Sequence, residues 1–353
     1  MSKPALSVAD AAKHFSPRGV YLDTAAIGLP PLEVTRALHE VVDRWAAGDI
    51  KPQEFDACVT SARASFARLI GVSPEHVTTD AAASSLVGLV AASLPREATV
   101  LCAEGDFTSV LFPFLEREQA GELSVRTCPL EALADNVDEH TALVAVSAVQ
   151  SFDGRLCDFA GIEQACRQFG AQCLLDATQA VGWLPIAGGR FDYVIASAYK
   201  WLLSPRGTAF MSIKPERLAS LRPRGASWYG GQDIWSSIYG APLRLASNAR
   251  RLDISPAWFM WLGCAEALAF IERIGVDAIH EHDRTLADTF LERLGRPAAG
   301  SAIVSVAGDG VFEALAAAGI STSRRGGATR LCFHLHNTAR DAIAAADIVR
   351  RAL

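Results

Sequence analysis

The sequence predicts an α/β protein: a large domain built on a mainly parallel mixed sheet, followed by a small α+β domain. Three observations predict it. Short, near-continuous apolar runs alternate with helical patterns through the middle of the chain. Strands buried on both faces look like this, and strand–helix–strand alternation is the pattern of a parallel sheet. Half of the 353 residues are apolar, enough for one large core and a satellite. Beyond residue 250 a long helical pattern appears, then a short series of alternating strands and helices.

In order, Ala98–Cys102, Ala142–Val149, Gln172–Asp176, Asp192–Ser197 and Gly207–Ile213 are the expected strands of the large sheet. Between the second and third lies an expected helix, Gly161–Phe169, with Asp158 as its cap and Gly170 at its end. A long helix is expected over Ala257–Ile274, after Ser255-Pro256. Ala302–Val306 and Arg330–His336 then read as strands, and Val311–Ala318 and Ala339–Leu353 as helices. The large domain is expected over residues 16–250 and the small one over 251–353, with residues 1–15 packing on the latter.

The net charge is −6, with both signs interspersed. No basic block points to nucleic acid, so a small molecule is the expected partner. The N-terminus lacks the charged start and apolar core of a signal peptide. The longest uncharged stretch, Ala81–Pro95, falls short of the roughly 20 residues a membrane span needs. A cytoplasmic protein is the expectation. Eight cysteines show no C-x-x-C pair and read as buried small hydrophobes. The eight histidines have no metal-ligand spacing.

The chemistry concentrates on two strand ends. CLLDATQA puts Asp176 at the end of a buried strand, where a carboxylate needs a partner. A protonated pyridine nitrogen is one. FDYVIASAYKWL ends the next strand and delivers Lys200 at its tip. A partly desolvated lysine there can form a Schiff base with an aldehyde. Read alone, Asp176 is a loop cap and Lys200 a surface lysine. Together, strand-Asp-x-x-Gln and strand-Ser-x-x-Lys-Trp, 24 residues apart from Asp to Lys, followed by S-P-R-G, form a specific pattern.

That pattern resembles the class V aminotransferase and cysteine desulfurase group of pyridoxal-phosphate enzymes. YLDTAAIGLPP at 21–31, DATQA, SAYKWLLSPRGTAF and TRLCFHLHNT at 329–338 carry the resemblance over nearly the whole chain. It implies fold type I, pyridoxal 5'-phosphate as cofactor, an amino-acid substrate and a homodimer with shared active sites. Lys200 matches the lysine that holds the cofactor and shuttles the Cα proton, and Asp176 the partner of the pyridine nitrogen. Gln179 matches the residue that bonds the phenolate oxygen. Ser197 matches a phosphate ligand, and Tyr199 stands where many relatives have a histidine that touches phosphate. VTTDAAASSLV matches the phosphate loop, which places the backbone of Ala82 and Ala83 near phosphate, although the usual glycine is missing. Ser255 matches a threonine that reaches the phosphate from the neighbouring subunit; it is equally placed to cap a helix before Pro256. Arg330 matches the arginine that holds the substrate carboxylate, with a salt bridge in the small domain as the alternative. Trp228 and Tyr229, in a W-x-G-G loop, and Ala26, in the N-terminal motif, are the other substrate-side positions.

The chain also departs from the group. Phe107 stands where the family has a histidine that stacks on the ring. Phenylalanine stacks but moves no proton. GISTSRRGGATR occupies the place of the sulfur-accepting loop and has no cysteine. Within the group, the pattern best fits the hercynylcysteine sulfoxide lyase type. Carbon–sulfur or related β-elimination is the expected reaction. Transamination or epimerisation is the alternative, and a binding protein that has lost catalysis is a third reading.

Overall fold

The computed structural model describes residues 5–353. Seven strands form the large sheet: β1 (Val77–Asp80), β2 (Ala98–Ala103), β3 (Leu123–Cys128), β4 (Thr141–Ser147), β5 (Gln172–Asp176), β6 (Tyr193–Ser197) and β7 (Ala209–Ile213). Their order across the sheet is β1-β7-β6-β5-β4-β2-β3. Neighbours pair in parallel except at β7, which runs antiparallel to both β1 and β6.

The continuous apolar runs follow from the two covered faces. Successive side chains of a strand point to opposite sides. Val144, Val146, Cys173, Leu175, Val194 and Ala196 enter one core, and Leu143, Ala145, Leu174 and Ile195 enter the other. The first core takes in α1 (Leu32–Ala46) and α2 (Asp56–Leu69) through Val34, Val59 and Phe66. The second takes in α3 (Ala83–Ser93) and α4 (Thr108–Gln119) through Leu86, Val90, Val110 and Phe114. α5 (Phe159–Phe169) is capped as its sequence predicts: Asp158 Oδ1 accepts from the Gly161 amide at 2.9 Å, and Gly170 ends the helix at φ 74°.

The long helix α6 (Trp258–Ile274) sends Trp261, Cys264, Leu268 and Phe270 into the first core. Its N-cap is Ala257, with no side-chain capping bond, and Ser255 is exposed. The cap expected of Ser255 is therefore not formed: the helix starts two residues too late for its hydroxyl to reach the first-turn amides.

α7 (Val276–Arg293), α8 (Val311–Ala317) and α9 (Ala339–Ala352) surround a small antiparallel sheet of β8 (Ile303–Ala307), β9 (Ser323–Arg325) and β10 (Ala328–Cys332), in the order β9-β10-β8. Leu286, Phe290, Val304, Leu331, Phe333 and Val349 form its own core. The strand expected over Arg330–His336 ends at Cys332. Beyond it the chain turns, with the His334 amide donating to Asn337 Oδ1 at 3.0 Å. Val20–Tyr21 pairs in parallel with Ile320–Ser321, so the N-terminal segment is stitched to this region. The Leu6 amide donates to the Arg273 carbonyl at 2.9 Å, and Phe15 meets Phe270 edge-on. Residues 1–4 of the segment expected to pack there lie outside the described residues.

Seven cysteines are buried, Cys58 is half-buried, and all eight are free thiols. Among the described residues no helix is long and apolar enough to cross a membrane, and no cluster of three metal-type ligands occurs.

Candidate active site

The parallel pairing of β4, β5 and β6 brings their carboxyl ends to one edge, where open α/β sheets carry their sites. Ser147 ends β4 and lies opposite Asp176, which ends β5. Ser197 ends β6, and Lys200 follows three residues on. The turn that aims Lys200 is tightly fixed. Ala198 and Ser204 amides donate to Thr208 and Ala198 carbonyls at 3.0 and 3.1 Å. Buried Leu203 adopts φ 57°, and its amide donates to the Lys200 carbonyl at 3.1 Å. A left-handed non-glycine residue costs about 1–2 kcal/mol, which the surrounding packing must sustain.

These residues line a common cavity. Asp176, Thr178, Gln179, Ser197, Tyr199 and Lys200 come from the ends of β5 and β6. Ala83 enters from the start of α3, Phe107 and Ser109 from the start of α4, and Ser147 and Ser151 from β4 and the loop after it. The titratable side chains on this wall are Asp176, Tyr199 and Lys200.

Lys200 is buried, and its Nζ has no hydrogen-bond partner among the described residues. The Nζ lies 5.2 Å from the Phe107 ring centre and 5.7 Å from that of Tyr199. Burial lowers its pKa to about 8, against the opposing charge of Asp176. Burial also pushes the Asp176 carboxyl above the usual range, against hydrogen bonds from Thr178 and the charge of Lys200. The Thr178 amide donates to Asp176 Oδ1 at 2.9 Å.

Gln179 is held at both ends: Nε2 donates to the Ala25 carbonyl at 3.0 Å, and Oε1 accepts from Trp201 Nε1 at 2.8 Å. Ser197 Oγ accepts from the Ala83 amide at 3.1 Å, joining the end of β6 to the N-terminus of α3. Ala82 occupies the N-cap of α3 but does not line the cavity. Asp80, in the loop that lacks its usual glycine, accepts from Ser85 Oγ at 2.8 Å. The Tyr199 ring centre lies 5.7 Å from Lys200 Nζ and 5.3 Å from the Arg206 guanidinium. Phe107 is not a core residue: it is 44% exposed and faces Lys200.

Arg330 is fully buried behind the wall. Its Nη1 donates to the Ser151 carbonyl at 2.6 Å, and Nη2 lies 3.3 Å from Asp23 Oδ1. Ala26 is half-buried in the same N-terminal turn, its amide donating to the Asp23 carbonyl at 2.9 Å. Trp228 and Tyr229 do not line the cavity of their own chain. Tyr229 Oη donates to Asp56 Oδ1 at 3.2 Å, and Trp228 packs on Trp235 at 5.0 Å. Ser255 is likewise outside the cavity.

Sequence reasoning missed Asp106. It is buried after β2 and accepts from the Ser147 amide at 2.8 Å, Ser147 Oγ at 2.5 Å and the Phe107 amide at 2.6 Å. It thereby ties the start of α4 to the end of β4. Its place just beyond a strand end was the available signal. Ser147 and Thr178, also at strand ends, were missed in the same way.

The donor set suits pyridoxal phosphate. It offers an amine for an aldehyde, a buried acid for a pyridine nitrogen, an aromatic ring for the cofactor face, and a hydroxyl beside a helix N-terminus for phosphate. On this sheet, such a site defines a pyridoxal-phosphate-dependent enzyme of fold type I. A sequence model described as aminotransferase class-V matches residues 20–305, and the chain belongs to that family. An uncharacterized aminotransferase, YcbU of Bacillus subtilis, is 27% identical over 271 residues, 72% of this chain and 69% of the relative. A probable hercynylcysteine sulfoxide lyase of Mycobacterium tuberculosis is 27% identical over 220 residues, 58% of this chain and 54% of the relative. The apo structure of a cysteine desulfurase from Thermococcus onnurineus NA1 superposes with a TM-score of 0.84 at 18% identity, covering 99% of both chains.

Proposed function

We propose that the protein is a carbon–sulfur lyase that eliminates the sulfur substituent of an S-substituted cysteine, without a persulfide cysteine. The observation that carries this is the single base on the cavity wall. Lys200 is the one amine that lines the cavity, its pKa lowered by burial to about 8, and among the described residues no thiol or imidazole lines it. Epimerisation calls for an acid and a base on opposite faces of Cα. Persulfide transfer calls for a thiol in reach, and the nearby Cys332 is fully buried, its pKa pushed up by burial to about 11. β-Elimination needs only one base, which takes the Cα proton and returns it to the departing sulfur. The likeness to the hercynylcysteine sulfoxide lyase supports the same reading.

Bound pyridoxal phosphate supplies an electron sink conjugated to Cα. In our reading, Lys200 holds its aldehyde and then serves as the base. Asp176 would keep the pyridine nitrogen protonated, and Gln179 would donate to the phenolate oxygen. Ser197, Tyr199 and the backbone of Ala82 and Ala83 hold the phosphate. Phe107 covers the ring face and leaves the proton transfers to Lys200. Arg330 binds the α-carboxylate, giving up its link to Ser151 or Asp23 to do so, with Ala26 nearby. Ser255 and Trp228 reach the site of a second copy, in a cytoplasmic homodimer, whereas Tyr229, buried in the core of its own chain, supports the loop that carries Trp228. The overall change converts a cysteine conjugate and water into pyruvate, ammonia and a thiol.

The test is incubation of the yellow protein with a panel of amino acids and S-substituted cysteines, with no keto acid present. Pyruvate and ammonia, with the long-wavelength cofactor band restored each cycle, are expected. Loss of that band, with turnover only after a keto acid is added, points instead to transamination, the activity in the name of the Bacillus relative.

A further inference from the structure

The small sheet presents a second guanidinium on the side of the active site. In the β9–β10 ladder, Ser323 lies opposite Arg330 and Arg325 opposite Ala328. Directly opposed residues project to the same face, as do residues two apart along a strand. Ser323, Arg325, Ala328 and Arg330 therefore share one face, and Arg324 and Thr329 share the other. On that other face Arg324 is spoken for: it pairs with Glu313 and lies over the Phe312 ring.

The first face lies behind the cavity wall; none of its four residues lines the cavity itself. The charges of Arg330 and Arg325 both act on Lys200, lowering its pKa alongside the larger effect of burial. The turn between the strands abuts the cavity wall: a Cβ on Gly326 would lie 2.3 Å from the Phe152 ring, next to Ser151. Arg330 reaches the same wall through the Ser151 carbonyl.

This face is left electrostatically incomplete. Arg325 donates to the Arg324 carbonyl at 2.8 Å, and no carboxylate pairs with it among the described residues. Ser323 is buried and its Oγ has no partner; the Nε of Arg330 has none either. Buried polar groups without partners are costly. Beside an unneutralised guanidinium, an oxyanion is the ligand that completes them.

We infer that Arg325, with Ser323, is the specificity-determining site for a second oxyanion carried on the side chain of the substrate, while Arg330 takes the α-carboxylate. The substrate class is an amino acid with an anionic side chain. The inference rests on the lyase reading for the leaving group only, and not for the anion.

Two measurements on the holoenzyme test it, the first independently of that reading. The first titrates the cofactor absorbance with glutamate and with glutamine, which match in shape and differ in charge. The second compares kcat/KM for S-carboxymethyl-cysteine and S-carbamoylmethyl-cysteine, by pyruvate release. A charge-assisted contact predicts a preference for the anionic member of about tenfold or more. Arg325→Gln should bring the preference close to unity, and Arg325→Lys, a point charge in place of a fork, should restore part of it. A wild-type preference near unity, or one that survives in Arg325→Gln, overturns the inference. Preference for glutamate with no pyruvate from either conjugate upholds it and removes the lyase reading. Pyruvate from both conjugates at equal efficiency, with no preference in the titration, does the reverse.

Discussion

Trp201 Nε1 donates to Gln179 Oε1 at 2.8 Å, so the residue directly after Lys200 fixes a side chain on the cavity wall. One hydrogen of Gln179 Nε2 then goes to the Ala25 carbonyl, and the other is left for the cavity. Behind Trp201 the His334 ring stands edge-on at 5.2 Å, and His334 Nδ1 is 2.6 Å from Asp283 Oδ2, both residues fully buried. The orientation of Gln179 thus depends on buried contacts that reach back to α7. Trp201→Phe keeps an aromatic ring but removes the donor and part of a fully buried indole. A loss of about 1–2 kcal/mol in stability is expected, together with an altered cofactor absorption spectrum. Denaturant unfolding and a spectrum of the holoprotein check both; an unchanged spectrum would deny Gln179 its contact with the cofactor.

Gly28 is the second support of the lysine turn. Its amide donates to the Tyr199 carbonyl at 2.8 Å, and a Cβ there would lie 2.0 Å from the Lys200 carbonyl oxygen. Gly28→Ala must push the N-terminal motif off this turn, at about 1–3 kcal/mol. A lower melting temperature and less cofactor per chain are expected. Wild-type values for both would show that the motif is free to shift.

Asp176→Asn preserves shape and the contact to the Thr178 amide while removing the charge. The expected result is protein that still binds the cofactor but turns over roughly 10²–10³-fold more slowly. Absorbance and steady-state kinetics separate the two effects.

The pKa of Lys200 gives a pH prediction with a definite sign. The neutral amine is the nucleophile, and burial moves its pKa down to about 8. Capture of pyridoxal phosphate by the apoprotein should therefore quicken as pH rises and level off above about 8. Because Asp176 opposes that shift, Asp176→Asn should move the profile to lower pH. Stopped-flow absorbance across pH reads both; a profile that climbs to the ordinary lysine range would mean that Lys200 is hydrated.

The strands legible in the sequence were those buried on both faces. β5 and β6 read clearly because Leu174, Leu175, Val194 and Ile195 alternate between two apolar cores. The edge strands were hidden. β3 exposes Ser124 and Thr127, and in β1 buried Thr78 and Thr79 are satisfied by Asp253, 175 and 174 residues away. The same distance in sequence hid part of the site. Lys200, Asp176 and Ser197 were legible because they sit at strand ends within one short stretch. Asp106 was not, since its role depends on Ser147, 41 residues further on. Nor was the division of labour between Arg324 and Arg325, which only the β9–β10 register assigns.

The most direct test of the account is borohydride reduction of the holoprotein, followed by peptide mass mapping. The account predicts a pyridoxyl group on Lys200 and its loss in Lys200→Ala, along with turnover. Label on Lys13, Lys51 or Lys214 instead, or undiminished turnover in Lys200→Ala, would contradict it.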